Sequence, residues 1–313
     1  MAAFNIENIS SQRGRIAIVT GANVGLGYET TLALAKKDIR VIMACRNVAK
    51  AEKAKAKIRS QVPTAQLDIH QVDLSKMDSV RAFAKSYIAQ YDRLDLLINN
   101  AGVMIPPHTL TDDGFELQMG VNYLSHFLLT ALLMDLLLQT PDSRIVTLSS
   151  IAHKKGSINF EDLHGKKSYD EWAAYRQSKL ACLIFTYELQ RRLEDRSTNT
   201  ISVAAHPGVS NTNLGTYLPW YIKLIAPIFI PFFTHSPKKA AEPTLYAALG
   251  SDVNGGDYFG PDGKNEMTGR ATKVNSTPQS KDEALAKKLW EVSEQLTGAK
   301  FFENADRSTA GTD

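Results

Sequence analysis

A tyrosine and a lysine lie four positions apart in the segment Tyr175-Arg176-Gln177-Ser178-Lys179. On a helix this spacing places both side chains on one face, so the phenol and the ammonium can point to the same place. A phenol is a poor base at neutral pH, but a neighbouring cation stabilises its phenolate form. The pair therefore predicts a proton donor or acceptor, although the same spacing is also common in ordinary amphipathic helices.

A glycine-rich segment, TGANVGLG at residues 20–27, follows the first predicted strand. Glycine lets the backbone approach a pyrophosphate. A helix that begins near Gly25 would direct unpaired N–H groups and the positive end of its dipole at that anion. A glycine cluster alone would also fit a simple turn. Its position between a buried strand and a helix favours a dinucleotide-binding loop.

The second predicted strand ends in Ala44-Cys45-Arg46-Asn47 and has no acidic residue near its end. Enzymes selective for NAD usually have an acid there, about 20 residues past the glycines, which accepts from the ribose hydroxyls. Arg46 instead offers a cationic fork that suits a 2′-phosphate. We therefore predict NADP(H) as the cofactor; the alternative is a solvated arginine ahead of a helix.

Polar and small residues also follow the third and fourth predicted strands, at the edge where parallel sheets bind their ligands. Asp73 could accept a hydrogen bond from an adenine amino group. The small step Ala101-Gly102 after Asn100 could let the backbone approach a ribose. A helix cap and a turn are the structural alternatives for these positions.

Short apolar segments rich in β-branched residues alternate with helix-period segments along most of the chain. This alternation is typical of a parallel sheet with helices on both faces, so we predict an α/β chain, a single-domain, doubly wound Rossmann fold over residues 1–313. Its cofactor half is expected at about 14–150 and its catalytic and substrate half at about 151–300. The predicted strands are residues 15–20, 41–45, 66–71, 94–98, 144–148 and 201–205, and the predicted helices are 25–37, 48–61, 77–91, 115–140 and 173–194.

The composition narrows the classes of function. The chain has 313 residues, 43% hydrophobic and 22% charged, as in an ordinary globular protein. Thirty-six basic and thirty-three acidic side chains leave a net charge of +3, and the basic residues are dispersed, so we expect no nucleic-acid partner. The two cysteines, Cys45 and Cys182, give no disulfide framework, and no histidine pair has ligand spacing, so we expect no metal. The N-terminal residues do not resemble a secretory signal, and we expect a cytoplasmic protein.

Residues 213–236 contain the most apolar stretch of the chain, together with Pro219, Pro227 and Pro231. The prolines divide it into short pieces able to pivot, so we predict an apolar lid over the substrate. A buried helix pair at the edge of the domain and an interfacial helix that rests on a membrane are the alternatives. A lid of this kind predicts large, lipophilic substrates.

Taken in order, these motifs resemble the short-chain dehydrogenase/reductase superfamily. The resemblance covers roughly residues 15–212 and is specific in combination; it rests on the glycine-rich loop, the NNAG segment at 99–102, Asn122, Ser150, the Tyr-x-x-x-Lys pair and Pro207-Gly208 with Thr212. Within the superfamily, the retinol dehydrogenase-like branch is the most similar. The segments that indicate it are VIMACR (41–46), NYLSHFLLT (122–130), AYRQSKLA (174–181) and HPG (206–208).

The resemblance implies a role for each catalytic residue. Tyr175 would give or take the proton at the substrate oxygen, and Ser150, chosen over Ser149, would hold that oxygen. Lys179 would bind the nicotinamide ribose and act on Tyr175. Asn122 would hold a water that links Lys179 to solvent as a proton relay.

Motifs and resemblance together give the predicted cofactor contacts. Thr212 and the backbone of Val209 would meet the nicotinamide carboxamide. The full set is Gly21, Asn23, Gly25, Leu26, Gly27, Arg46, Asp73, Leu74, Asn100, Ala101, Gly102, Tyr175, Lys179, Pro207, Gly208, Val209 and Thr212.

The function that follows is an NADP(H)-dependent oxidoreductase acting on the carbonyl or alcohol of a lipophilic small molecule, such as a retinal-like compound or a long-chain aldehyde or ketone. One alternative is a protochlorophyllide-reductase-like enzyme, which reduces a C=C bond. Those enzymes carry a cysteine two residues after the lysine, where this chain has Ala181 and then Cys182. Another is a non-catalytic NADP(H)-binding redox sensor, which would lack part of the four catalytic residues. A homo-oligomer and a peripheral membrane contact through the lid stay open.

Overall fold

Eight strands form one sheet in the computed structural model, which describes residues 4–209 and 236–302. The strands are β1 (Ile16–Thr20), β2 (Arg40–Cys45), β3 (Leu67–Gln71), β4 (Leu96–Asn99), β5 (Arg144–Leu148), β6 (Ile201–Ala205), β7 (Tyr258–Pro261) and β8 (Ala271–Lys273). Their order is β3-β2-β1-β4-β5-β6-β7-β8. All pairs are parallel except β7 with β8, which is antiparallel. The six predicted strands are confirmed, whereas β7 and β8 lie where no strand is predicted.

Helices cover both faces of the sheet, as predicted for a doubly wound α/β fold. They are α1 (Gly25–Ala35), α2 (Val48–Gln61), α3 (Met77–Ile88), α4 (Ser125–Leu132), α5 (Met134–Gln139), α6 (Glu171–Glu194), α7 (Pro237–Ala240), α8 (Glu242–Leu249) and α9 (Glu283–Thr297). Buried side chains of α1, α2, α7 and α8 form the core on one face, and those of α3, α4, α5, α6 and α9 form the core on the other. Strands covered on both faces need continuous apolar runs, and β1 is buried at every residue.

The strand order predicts where a ligand would bind relative to the sheet. β2 and β3 lie on one side of β1, and β4, β5 and β6 lie on the other. Ligands of such sheets bind beyond the carboxyl ends of the strands, at the point where the order reverses. That point lies between β1 and β4.

The predicted helix over 115–140 is wrong in detail, because this segment forms three pieces. A π-helix (Met119–Leu124) leads into α4, and a break at Leu133 separates α4 from α5. The buried carboxylate of Glu116 accepts from the N–H groups of Gln118, at 3.0 Å, and Met119, at 2.8 Å. These bonds cap the helical segment, which begins at Leu117, directly after Glu116.

The predicted lid at 213–236 lies outside the described residues, except for Ser236, whose side chain caps α7. Thr212 also lies outside them. Within residues 4–209 and 236–302, no helix has the length and apolar character needed to cross a bilayer. In that same part of the chain, no three His, Cys, Asp or Glu side chains are arranged to hold a metal ion.

The buried hydroxyl of Thr20, at the end of β1, joins three elements at the switch point. It accepts hydrogen bonds from the backbone N–H groups of Asn100 and Ala101, both at 2.9 Å, and lies 2.9 Å from Nε2 of His126 on α4. The side-chain amide of Asn100 also donates to the Thr20 carbonyl at 2.7 Å. The loop after β4 and helix α4 are therefore both fixed against the end of β1.

The hydrogen bonds of His126 determine its tautomer. Its Nδ1 lies 3.1 Å from the carbonyl oxygen of Asn122, which can only accept, so Nδ1 carries the proton. Nε2 therefore accepts the proton of the Thr20 hydroxyl. Burial lowers the pKa of His126 to about 4, so the ring is neutral at pH 7.

Removing the hydroxyl of Thr20 should destabilise the protein far more than removing its methyl group. In Thr20→Val, the N–H of Ala101 and the Nε2 of His126 lose their partner and the N–H of Asn100 keeps only the carbonyl of Ile98, so the free energy of unfolding should fall by about 2–4 kcal/mol. In Thr20→Ser the hydroxyl stays and the loss should be about 1 kcal/mol. Urea unfolding of both variants measures the difference, and equal stability of the two would show that the hydroxyl is dispensable.

The buried neutral histidines should make the protein sensitive to mild acid. The unfolded chain takes up a proton at His126 near pH 6.5, whereas the folded chain does so only near pH 4. The stabilisation is therefore complete above pH 6.5 and is lost as the pH falls towards 4, by about 3 kcal/mol for this residue. Burial lowers the pKa of His153 to about 4 as well, so it adds in the same direction.

Urea unfolding at pH values between 7.5 and 4.5 tests this pH dependence. His126→Gln should flatten the decline in the free energy of unfolding relative to the wild type. His108→Gln, which changes an exposed ring, should keep the wild-type decline. A His126→Gln profile parallel to that of the wild type would contradict the assignment.

Candidate active site

Glycines determine the conformation of the loop between β1 and α1, where the sequence predicts a pyrophosphate. Gly21 and Gly25 have φ angles of 68° and 56°, which residues with side chains rarely adopt. A Cβ on Gly27 would lie 2.2 Å from the carbonyl oxygen of Gly21, so no larger residue fits there. Val24 gives α1 no side-chain cap, and its first-turn N–H groups are available to an anion. Asn23 is half-buried in this loop, and Leu26 packs into the core.

Arg46 and Asp73, at the carboxyl ends of β2 and β3, line one cavity of about 600 Å³. Arg46 is exposed, and its guanidinium has no partner within the described ranges. One oxygen of Asp73 accepts from the N–H of Ser75, at 3.0 Å, and from its hydroxyl, at 2.7 Å. The next residue, Leu74, is buried, and its carbonyl accepts from Ser125. The two predicted adenosine contacts therefore share one open cavity.

Asn122, in the π-helix, ties the loop after β4 to α6. Its Oδ1 accepts from the N–H of Val103 at 2.8 Å, and its Nδ2 donates to the Val103 carbonyl at 3.0 Å and to the Ser178 hydroxyl at 2.9 Å. Its own carbonyl oxygen accepts from His126 and from the thiol of Cys182, the latter at 3.3 Å. Asn122 thus has a clear positioning role, and its part in a water relay stays a prediction.

Tyr175 and Lys179 lie on the buried side of α6, each only 6% exposed. The ammonium of Lys179 donates to the carbonyl of Leu148, at the end of β5, over 3.0 Å. A Cβ on Gly102 would lie 3.5 Å from this ammonium and 3.1 Å from Oδ1 of Asn122, so the loop after β4 passes close to both. A charge in such a low-dielectric place exerts a strong field on its neighbours.

The structure distinguishes the two serines after β5. Ser149 is 3% exposed, and its hydroxyl donates to the carbonyl of Lys179 at 2.8 Å, so it fixes α6 to the sheet. Ser150 is half-buried and begins a short 3₁₀ helix (Ile151–Lys155) by accepting from the N–H of Ala152 at 3.2 Å. Because that bond uses an acceptor site only, the Ser150 hydroxyl keeps its proton to donate.

The segment 206–209 follows β6 and is held by the loop after β7. Gly208 has a φ of 69°, and a Cβ on it would lie 2.3 Å from the carbonyl oxygen of Met267. The N–H of Val209 donates to that same carbonyl at 2.8 Å, and the N–H of Gly208 donates to Nδ1 of His206 at 3.2 Å. Pro207 lies between these contacts, half-buried. Glycine is therefore required at position 208 for the two segments to approach.

Three positioning residues were not predicted as parts of the site: Thr20, His126 and Gln71. The Nε2 of Gln71, at the end of β3, donates to the carbonyl of Arg46 at 3.1 Å and so orders the end of β2. A signal for Thr20 was its place as the polar last residue of an apolar strand. For His126 the signal was a polar residue within the apolar helix segment that begins at Asn122.

Comparisons with known proteins agree with this geometry. A family model described as short chain dehydrogenase matches residues 15–219. Retinol dehydrogenase 13 of Mus musculus is 43% identical over 292 residues, which cover 91% of this chain and 84% of that protein. Retinol dehydrogenase 14 of Mus musculus is 42% identical over 301 residues, which cover 91% of this chain and 86% of that protein.

Solved structures show the same architecture. The crystal structure of an uncharacterized protein from Mycobacterium paratuberculosis superposes with a TM-score of 0.80 at 40% identity, covering 96% of this chain and 99% of that one. The RhlG/NADP active-site complex of Pseudomonas aeruginosa shares the fold, with a TM-score of 0.63 at 21% identity over 79% of this chain and 94% of that one. The chain therefore belongs to the short-chain dehydrogenase/reductase family, within which it is retinol dehydrogenase-like.

Proposed function

We propose that this chain transfers a hydride between NADP(H) and the carbonyl or alcohol carbon of a lipophilic small molecule. The observation that carries the proposal is the convergence of three groups at the carboxyl edge of the sheet. Tyr175 and Lys179 lie on α6, Ser150 begins the 3₁₀ helix that packs on α6, and the glycine-rich loop follows β1. A proton donor, an oxygen-binding hydroxyl and a phosphate cradle are what such a transfer needs.

The residues present fit a dinucleotide. Gly21 and Gly27 let the loop after β1 pack closely on itself and against Asn100, because a Cβ on either glycine would contact these neighbours, and the first turn of α1 offers its N–H groups to the pyrophosphate. Lys179 would hold the nicotinamide ribose, and the segment 207–209 would meet the carboxamide. When bound, the cofactor supplies or accepts the hydride, while the protein supplies orientation and a proton.

Tyr175 and Ser150 act on the substrate oxygen in this mechanism. In the direction of reduction, the phenol of Tyr175 donates its proton to that oxygen. The hydroxyl of Ser150 donates a hydrogen bond to the same atom and holds it in place, since its acceptor site already binds Ala152. In the direction of oxidation, the Tyr175 phenolate takes the proton from the alcohol.

Lys179 supports the phenolate form of Tyr175 through its charge. Its ammonium is buried and is oriented by the carbonyl of Leu148. The hydroxyl of Ser149 holds the backbone of Lys179 at 2.8 Å, so the charge has a fixed position on α6. A fixed, desolvated cation stabilises a developing anion without reorganising as the reaction proceeds.

Arg46 supports the preference for NADP(H) over NAD(H). Its guanidinium is exposed in the cavity that Asp73 also lines. Its backbone is held by Gln71. An arginine fork binds a phosphate with two charge-assisted hydrogen bonds, whereas the ribose hydroxyls of NADH give it no charge to neutralise.

A lipophilic substrate is supported by the apolar stretch at 213–236 and by the relatives named retinol dehydrogenases. A retinal-like compound and a long-chain aldehyde or ketone both match this chemistry. The cytoplasmic location belongs to the proposal and is supported by two free, buried cysteines. A membrane contact through the apolar stretch and a homo-oligomer rest on the sequence alone.

The geometry disfavours the two other functions. Cys182, which lies one residue past the cysteine position of such C=C reductases, is buried in the core, and its thiol donates to the carbonyl of Asn122. Burial raises the pKa of this thiol, which makes it a worse proton donor.

A redox sensor has no use for a complete set of catalytic side chains, yet Asn122, Ser150, Tyr175 and Lys179 are all present.

Replacing Arg46 should change the choice of cofactor. Arg46→Ala should raise the Kd for NADPH about 10-fold or more and change the Kd for NADH by less than about twofold, because only the 2′-phosphate loses a contact. Arg59→Ala is the matched control: it removes the same charge from α2 roughly 17 Å along the helix from its start. An equal rise in the Kd for NADPH and the Kd for NADH, or equal effects of Arg46→Ala and Arg59→Ala, would contradict the NADP(H) assignment.

Replacing Tyr175 should abolish turnover while cofactor binding remains. Tyr175→Phe removes the transferable proton but keeps the ring, so kcat should fall by ~10²-fold or more and the Kd for NADPH should change by less than about twofold. Tyr187→Phe also removes one hydroxyl from α6, where it bonds Ser276 at 2.8 Å, and should keep kcat near that of the wild type. A normal kcat in Tyr175→Phe would mean that the proton comes from another group.

A further inference from the structure

The carboxylate of Glu266, in the loop between β7 and β8, bridges two residues that are far apart in the sequence. Its Oε2 lies 3.1 Å from Nε2 of His206, and its Oε1 accepts from the ammonium of Lys154 at 2.7 Å. His206 is fully buried, whereas Glu266 and Lys154 are 21% and 39% exposed. The carboxylate therefore joins a buried ring on one side to a half-exposed cation on the other.

The two bridged residues adjoin two different parts of the proposed active site. Lys154 lies in the 3₁₀ helix that Ser150 begins, and the ring of His153 in that helix bonds the Ser150 carbonyl at 2.7 Å. His206 begins the segment 206–209, which the proposed function assigns to the nicotinamide. A single side chain from a third loop thus links the substrate-binding serine to the nicotinamide segment.

The bonding of His206 shows that it donates to Glu266. The N–H of Gly208 donates to Nδ1, so this nitrogen carries no proton, and Nε2 carries it instead. The ring has little room to move, because a Cβ on Gly260 would lie 2.0 Å from Nε2. Burial lowers the pKa of His206, which keeps the ring neutral. Partial burial alone would raise the pKa of Glu266, but the bonds from His206 and Lys154 outweigh it and lower that pKa to about 2.

The backbone at Glu266 has a strained conformation that surrounding contacts must hold. Asn265 and Glu266 have φ angles of 54° and 56°, in the left-handed region that residues other than glycine rarely adopt. Such a conformation costs free energy and persists only where surrounding contacts compensate. Met267, the next residue, accepts from the N–H of Val209. The carboxylate of strained Glu266 and the carbonyl of its neighbour Met267 therefore both contact the segment 206–209.

We propose that Glu266 is a positioning residue for the nicotinamide half of the cofactor. Its carboxylate fixes the segment 206–209 relative to Ser150 and so sets the distance between the hydride-bearing carbon of the cofactor and the substrate carbon whose oxygen Ser150 would hold. This inference rests on the proposed function. The bond to His206 is the more important of the two, because the pair with Lys154 is partly exposed and therefore screened.

The binding of two ligands distinguishes an effect of Glu266 on the nicotinamide segment from an effect on the whole protein. NADPH reaches the nicotinamide segment, whereas adenosine 2′,5′-bisphosphate carries the 2′-phosphate and adenine but has no nicotinamide. Glu266→Ala should raise the Kd for NADPH about 10-fold and lower kcat by a similar factor, while the Kd for adenosine 2′,5′-bisphosphate changes by less than about twofold. In Glu266→Gln the amide oxygen can still accept from His206. The Kd for NADPH should therefore rise, and kcat fall, by only about two- to fourfold.

A pair of lysine variants provides the matched control. Lys154→Met should weaken NADPH binding about two- to threefold, and this loss should disappear in about 0.5 M salt. Lys155→Met changes the next residue of the same 3₁₀ helix, which is exposed, and should match the wild type. Should Glu266→Ala fail to fold, Glu266→Gln and Lys154→Met carry the same test.

The outcomes that oppose the proposal differ from those that oppose the proposed function. Equal weakening of both ligands in the Glu266 variants, or unchanged NADPH binding and kcat, overturns the positioning role. Wild-type protein that binds neither ligand overturns the proposed function, and the positioning role with it.

Discussion

The hydroxyl of Thr20 is the group through which β1, the loop after β4 and helix α4 are joined. It accepts two backbone N–H groups and donates to neutral His126, so its whole hydrogen-bonding capacity is used inside the protein. His126 passes the constraint to the carbonyl of Asn122. The glycine-rich loop follows Thr20 directly, so this loop and the π-helix that contains Asn122 are fixed by the same atom.

From this point the constraints extend to α6 through buried polar side chains. Asn122 bonds Val103 on one side and Ser178 on the other, and Ser149 bonds the backbone of Lys179. Buried polar groups that are all satisfied hold one arrangement, because any shift leaves a partner unpaired. Among the residues proposed to act on ligands, Arg46 is exposed and Ser150 half-buried, whereas Tyr175 and Lys179 are buried. The buried polar contacts thus set the geometry in which all four side chains are held.

The sequence could predict the strands and loops that depend on residues close together along the chain. The first six strands follow from apolar runs, and the loop between β1 and α1 follows from glycines between a strand and a helix. The start of the helical segment predicted at 115–140 depends on the Glu116 carboxylate, and β7, with Gly260 and Pro261, has weak strand propensity and forms through pairing with β6. The Thr20–His126 contact joins residues 106 positions apart, and the Lys154–Glu266 contact joins residues 112 apart. Such pairs have no local signature, so only the fold reveals them.

The most direct measurement of the proposed chemistry follows the hydride itself. Wild-type protein is incubated with retinal and NADPH that carries deuterium at C4, with each of the two C4 epimers in turn, and the product is examined by mass spectrometry and NMR. Hydride transfer to a carbonyl predicts one deuterium on the carbinol carbon of the alcohol, from one epimer only. Deuterium at an alkene carbon, or none transferred from either epimer, would contradict it.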